Sequence, residues 1–195
     1  MSFRPSYRTN QGFNLGPLGF LIVANIIIFL ATLVRPQLFF DLLGLSLQDF
    51  LSQPWTIVTN MFVHANFGHI FANMLTLYFY GTYLINLVGD KKFFIVYLLG
   101  GLLGNIAFLL LAPSYATAIG ASGAVFAVGG ALAVLRPKLP VMIFPIPVTL
   151  PLWVVVIGGF LILTSPGIAW QAHLGGLLTG LVAGYFFKQN TRIYY

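Results

Sequence analysis

The sequence has no cysteine and no glutamate, and only three acidic residues, Asp41, Asp49 and Asp90, in 195 positions. Lacking cysteine, the chain can have no disulfide, thiol nucleophile or Cys-based metal site. Charged residues of either sign make up 6% of the chain, against about 25% in an ordinary soluble domain. Hydrophobic residues reach 59%, and mean hydropathy is +0.95. This is the composition of a polytopic membrane protein, in one unit with no room for a second domain. The formal charge of +6 raises nucleic acid as a partner. The placement of the charges points instead to membrane topology, with the lipid bilayer as the partner. Whatever chemistry the chain performs must use three histidines and almost no carboxylates.

The apolar runs predict six spans, at about 16–34, 67–88, 93–112, 119–135, 150–163 and 167–187. A span takes about 20 residues. The first is not followed by a small-residue cleavage site, so it reads as a helix that is kept rather than a signal peptide. Between spans 1 and 2, residues 35–60 are too interrupted to cross. They read as short amphipathic helices at the interface, with Trp55 at headgroup level. Asp90, Lys91 and Lys92 end span 2. Span 4 covers only about 25 Å at 1.5 Å per residue, so its start is expected below the surface. Pro140, Pro145, Pro147 and Pro151 break up the 4–5 connection, and span 5 is also short.

With six spans, Arg4, Arg8, Lys91, Lys92, Arg136, Lys138, Lys188 and Arg192 share one side, and Arg35 stands alone on the other. Basic residues favour the cytoplasm, so both termini are expected there, in a multi-pass protein of the cell membrane.

Polar residues inside a span are costly and face the protein interior. On this topology His69 and Asn73 of span 2, Ser122 of span 4 and His173 of span 6 lie at one level, just below the outer surface. His69 and Asn73 are i, i+4 and share a face. Ser122 shares one with Phe126, Gly129 and Ala133; His173 shares one with Gly176, Gly180 and, roughly, Gly184. Small residues at that spacing let membrane helices pack closely. A serine hydroxyl is a weak nucleophile until a base takes its proton and donors stabilise the oxyanion. The small neighbours in Gly120-Ala121-Ser122-Gly123 leave room for a substrate backbone. His173 is then the base for Ser122. His69, Asn73 and the Ser122 backbone N–H are oxyanion donors. No acid is placed to orient His173. His64 reads as a hydrogen-bond donor anchoring the loop near the site. Asn25 and Asn105 read as helix–helix hydrogen bonds.

These motifs, H-A-N-F-G-H-I-F-A-N from His64 to Asn73, G-A-S-G from Gly120 to Gly123, and Ala172-His173 with Gly175, Gly176 and Gly180, closely resemble those of the rhomboid family of intramembrane serine proteases. The match runs from about Trp55 to Gly184. It implies an all-α, six-helix rhomboid-like bundle with an interfacial first loop, of the simple prokaryotic type. It further implies a Ser122–His173 dyad without metal or cofactor, and an oxyanion site at His69 and Asn73 beside the Gly120 turn. The implied substrates are single-span membrane proteins, cut near the outer end of their helix. Two departures stand out. Many relatives have Trp-Arg where this chain has Trp55-Thr56. Some bacterial members have a tyrosine stacked on the histidine where this chain has Phe126, which can stack without offering a hydroxyl.

Two rival readings are an inactive relative that only binds membrane proteins, and a zinc site on His64, His69 and His173. The first fits poorly because both Ser122 and His173 are kept. The second leaves G-A-S-G unexplained and supplies no carboxylate base. A channel or proton relay would want intramembrane acids, and the spans hold none. The short fifth span is the loosest wall, and so a candidate lateral gate beside span 2.

Overall fold

A computed structural model describes residues 16–142, 148–165 and 167–190. Arg4, Arg8, Arg192, Pro145 and Pro147 lie outside the described residues. Helix α1 is Gly16–Val34, and α2 is the short Pro36–Leu43. Strand β1 is Leu45–Ser46, followed by α3, Thr56–Thr59, and a single 3-10 turn over Asn60–Phe62. The long helices α4, Phe67–Val88, and α5, Asp90–Leu111, come next. Strand β2 is Thr117–Ala118 and α6 is Ser122–Leu135. Strands β3, Pro140–Met142, and β4, Thr149–Pro151, lead into α7, Leu152–Ile162, and α8 is Trp170–Asn190.

Four boundaries differ from the sequence reading. Helix α5 begins at Asp90, so Asp90, Lys91 and Lys92 form its first turn rather than the end of the helix before. Gly89 makes the break at φ +84°, and the Asp90 carboxylate suits the positive end of the helix that follows. Helix α6 begins at Ser122, not Ile119, and has only 14 residues. The chain just before it pairs with the first loop instead, Leu45 with Ala118 and Ser46 with Thr117. Gly120, at φ +113°, then turns the chain into the helix. Helix α7 is trimmed to 11 residues because Thr149–Pro151 pairs antiparallel with Pro140–Met142. Helix α8 starts at Trp170, three residues after Gly167 at φ +84°. The chain is thus mainly helical, with two small β-pairings that the all-α reading did not include.

Helices α1 and α5 are long and apolar enough to cross a membrane unaided. Many large apolar side chains face outward, among them Phe20, Leu30, Leu110 and Ile162. A soluble monomer rarely shows such a surface.

The centre is a three-helix contact of α6 with α8 and α5. Helices α6 and α8 run parallel, and glycines set their spacing. A Cβ at Gly176 would land on the Gly123 carbonyl, one at Gly180 on the Ala127 carbonyl, and one at Gly184 within 2.7 Å of the Ala131 carbonyl. On the α5 side, Gly104 meets the Ala172 backbone and Gly175 meets Leu103 and Gly104. Helix α6 is consequently buried on almost every residue from Gly123 to Leu135. Helix α7 packs mainly on α6 and scarcely touches α4.

Each asparagine expected to bridge helices meets a second helical element, Tyr97 of α5 for Asn25 and Ile57 of α3 for Asn105. Asn25 donates to the Leu21 carbonyl of its own helix at 2.8 Å, with the buried Tyr97 of α5 interacting alongside. Asn105 bonds the first loop rather than another long helix. It exchanges amide hydrogen bonds with Asn60 at 2.7 and 3.1 Å and donates to the Ile57 carbonyl at 2.7 Å. Their carbonyl ends differ too, since Asn25 Oδ1 is buried without a well-formed bond.

The seam makes a direct prediction. Gly176→Ala places a methyl on backbone that cannot swing aside, an overpacking cost of about 1–3 kcal/mol. Gly158→Ala meets nothing within 4 Å and should change stability by less than about 0.5 kcal/mol. Thermal melts of both variants in one detergent check the difference.

Candidate active site

Ser122 is the first residue of α6, where backbone N–H groups have no acceptor within the helix. His173 lies one turn into α8. The seam brings them together, and Ser122 Oγ and His173 Nε2 are 2.7 Å apart. An imidazole nitrogen at that distance can take the hydroxyl proton as the oxygen attacks a carbonyl. His173 is buried, and Phe126 covers its ring at a centroid distance of 4.8 Å and a 36° tilt. That is the expected contact, though tilted rather than stacked flat. Phe126 in turn meets Phe160 of α7 edge-on at 6.1 Å. No side chain among the described residues hydrogen-bonds His173 Nδ1; the Leu163 backbone lies beside the ring, short of a well-formed bond. Asp41 accepts from Gln37 at 2.7 Å and Asp49 accepts from Ser46 at 2.7 Å, both in the first loop.

His69 is set by the start of α4. The side chain of Asn66 caps that helix by accepting from the His69 N–H at 2.9 Å. His69 Nδ1 accepts the Ala65 N–H at 3.4 Å, which leaves Nε2 to carry the ring proton and to donate. That edge of the ring lies against Gly120. A Cβ on Gly120 would sit 2.7 Å from both His69 Cε1 and Nε2. Glycine is therefore required there twice, by its positive φ and by the ring. Asn73 sits one turn along the same face. Its amide donates to the His69 carbonyl at 2.9 Å, and its second N–H is free of that bond. The donors expected at this end of the site, His69, Asn73 and the start of α6, thus border one space with Ser122 and His173. It is a cavity of about 680 Å³, which α4, α6, α7 and α8 all line. Such a volume is typical of a ligand site.

His64 is wholly buried beside the site. The Ala121 N–H points to its Nε2 at a long 3.5 Å, so Nδ1 carries the ring proton and faces the Phe62 backbone. Its ring meets the His69 ring edge-on at 4.9 Å. His64 thus supports both the residue before Ser122 and the ring of His69. Its Nδ1 lies by the Phe62 backbone without a well-formed hydrogen bond. Burial, then the neighbouring His69, hold the His64 imidazole down at about 3, so it stays neutral.

Asn60 is a residue the sequence did not single out. Its carbonyl accepts the Gly120 N–H at 2.8 Å, and its amide is held by Asn105. The pair fixes the turn that carries Ser122 to the first loop and to α5. Trp55 anchors the same loop by donating from its indole N–H to the Leu42 carbonyl at 2.8 Å. Thr56, where many relatives have arginine, is buried and donates to the Gln53 carbonyl at 2.6 Å. Among the described residues, no three histidine, aspartate or glutamate side chains converge on a possible metal ion.

A family model described as "Rhomboid domain" matches residues 51–190. Rhomboid protein 1, mitochondrial, of Saccharomyces cerevisiae is 30% identical over 155 residues, covering 73% of this chain and 44% of the yeast protein. RHOMBOID-like protein 12, mitochondrial, of Arabidopsis thaliana is 30% identical over 188 residues, 84% of this chain and 56% of its own. Rhomboid protease GluP of Bacillus subtilis is 32% identical over 130 residues, 66% of this chain and 25% of its own. The chain spans about half the length of the first two relatives.

The buried His64 generates a pH prediction. Unfolded, it protonates near about 6.5; folded, only near 3. Between those values the unfolded chain binds more protons, so stability rises with pH. The His64 contribution is complete above about 6.5 and is lost as pH falls toward 3. Melting temperature in detergent should fall between pH 7.5 and pH 5. It should fall less in His64→Gln, which keeps an acceptor but cannot titrate; equal falls would count against this reading.

Proposed function

The chain belongs to the rhomboid family, and we propose that it is an intramembrane serine endopeptidase acting through a Ser122–His173 dyad. The observation that carries this reading is the 2.7 Å contact between Ser122 Oγ and His173 Nε2, at the wall of a cavity with donors on its other sides. In the first half of the reaction, Oγ attacks the carbonyl carbon of the scissile peptide bond and His173 Nε2 takes the hydroxyl proton. The oxyanion is received by His69 Nε2–H, the free N–H of Asn73 and the N–H of Ser122. The imidazolium then returns its proton to the leaving amine, and an acyl-enzyme remains. Water, deprotonated by the same nitrogen, attacks the ester carbonyl and releases the new carboxyl end and the serine.

With no carboxylate at His173 Nδ1, the ring is oriented by packing, chiefly Phe126. In soluble triads the acid also stabilises the imidazolium, and its replacement by an amide can cost about 10⁴ in rate. The enzyme is therefore expected to be slow.

The substrates of this reading are single-span membrane proteins that enter from lipid between α4 and α7. The support is that α7 is short, leans mainly on α6 and contributes Val155, Val156 and Gly159 to the cavity wall. The same reading places six crossings in the cell membrane with both termini cytoplasmic, on the asymmetry of eight basic residues against one.

A fluorophosphonate tests the chemistry directly. It should form an Oγ–P bond at Ser122, expelling fluoride. The rate should fall by about 10²–10⁴ in His173→Ala, the usual worth of a general base, and chelators should leave it unchanged. Labelling as fast in His173→Ala as in the wild type, or activity lost to a chelator and restored by zinc, would overturn the dyad.

A further inference from the structure

Basic side chains gather at the end of the bundle farthest from Ser122. Among the described residues, Lys91, Lys92, Arg136, Lys138 and Lys188 stand there, with Asp90 as their one carboxylate. Helix packing brings three of them to a common level. Helices α5 and α6 run antiparallel, with Gly100 against Ala127 and Gly101 against Ala124. Lys92 is eight residues before Gly100, and Leu135 is eight after Ala127. Helices α6 and α8 run parallel, with Gly184 against Ala131, so four residues further on Lys188 comes level with the same Leu135. Arg136 follows as the C-cap of α6. Helices α5 and α8 meet at this level too, where Lys92 Nζ lies 5.3 Å from the centre of the Phe187 ring. Each helix of the three-helix centre thus carries a cation at one place, about 20 Å from Ser122 at 1.5 Å per residue.

No acidic side chain neutralises these charges. Among the described residues, none of the five cations makes an ion pair or a side-chain hydrogen bond. Asp41 and Asp49 lie in the first loop, taken up by Gln37 and Ser46. The Phe187 ring holds the Lys92 ammonium in place. Lys188 lies one turn beyond Gly184 on the glycine face of α8, the face that rests on α6 until α6 ends. A topological bias toward basic residues requires only that they lie on one side of the membrane. It does not bring cations of three helices to one level. The depth is marked by Trp153, which is exposed and whose backbone N–H donates to the Pro137 carbonyl at 3.3 Å, between Arg136 and Lys138. An exposed tryptophan at the end of a membrane helix sits among the lipid headgroups.

We propose that these ends of α5, α6 and α8 form a binding site for an anionic phospholipid, whose phosphate is received by Lys92, Arg136 and Lys188. Clefts lined with basic residues between membrane helices suit lipid headgroups. A phosphodiester has oxygens for the Arg136 fork and for an ammonium group beside it. The acyl chains lie along apolar side chains exposed on α8, among them Leu178, Val182 and Phe186. A soluble phosphate lacks that second contact, so the ligand is a lipid. Bound there, it ties together the far ends of the helices whose near ends carry Ser122 and His173. The site requires that the chain span a bilayer and is independent of the dyad.

The test uses the purified, delipidated chain in dodecyl maltoside micelles, with Kd for the first bound lipid read by native mass spectrometry. Phosphatidylglycerol is compared with phosphatidylcholine. A basic residue beside an anionic headgroup is worth about fivefold in affinity. The wild type should therefore bind phosphatidylglycerol at least about tenfold more tightly. The pair Lys92→Gln, Lys188→Gln should bring the two lipids within about threefold of each other. The pair Lys91→Gln, Lys138→Gln removes the same net charge and should keep the tenfold preference. A wild type without preference overturns the site. So does an equal loss in both pairs, the result of a diffuse surface charge. If the first pair does not melt cooperatively, Arg136→Gln alone should lower the preference about fivefold, and an unchanged preference overturns the site. Inorganic phosphate at the lipid's concentration should leave phosphatidylglycerol bound; its displacement would make a soluble phosphate the ligand and overturn the lipid.

Discussion

Everything near the site depends on how closely α8 approaches α6. Two helices with ordinary side chains pack about 8–10 Å apart. Here Gly176, Gly180 and Gly184 bring the α8 backbone onto the carbonyls of Gly123, Ala127 and Ala131, where no Cβ would fit. In lipid there is no gain from hiding apolar surface between helices, so association rests on close van der Waals contact. Ser122 and His173 stand at one end of this seam, and their 2.7 Å contact is a consequence of its register. A slip of one residue along either helix would rotate a side chain about 100° away.

The second constraint is the turn at Gly120. Helix α4 delivers His69 against it, Asn60 holds its N–H, and His64 holds the next one. Three separate pieces of the first loop and α4 therefore converge on the two residues before Ser122. The buried Asn60–Asn105 amide pair ties that arrangement to α5, which itself packs on α8. The nucleophile, base and oxyanion donors of the proposed mechanism are held on one rigid frame. The less constrained wall is α7, on the side where a lipid-borne substrate would enter.

Much of this was legible in the sequence because membrane helices write their polar residues sparsely. With so few polar groups in the apolar runs, the level of His69, Asn73, Ser122 and His173 could be compared across helices, and the spacing of Gly176 and Gly180 showed which face of α8 is packed. The limits of α1 and α4 were read correctly for the same reason. What escaped were features that apolar periodicity does not encode. The pairing of β1 with β2 is two residues long and shortens α6 at its start. Asn60 sits in a loop where an asparagine has many ordinary reasons to be. His64 was read as a donor alone; that its second ring nitrogen also accepts depends on which backbone group meets it. Asn25 reaches Tyr97 of α5, but its amide also bonds its own helix one turn back.

The central claim is that this frame assembles a serine nucleophile inside a membrane. The most direct measurement is the cleavage of a single-span protein by purified wild-type chain in liposomes, beside Ser122→Ala and His173→Ala. Both variants should melt as the wild type does. The account predicts one cut near the outer end of the substrate helix by the wild type and none by either variant. A Ser122→Ala protein that folds normally and still cuts at the same bond would contradict it.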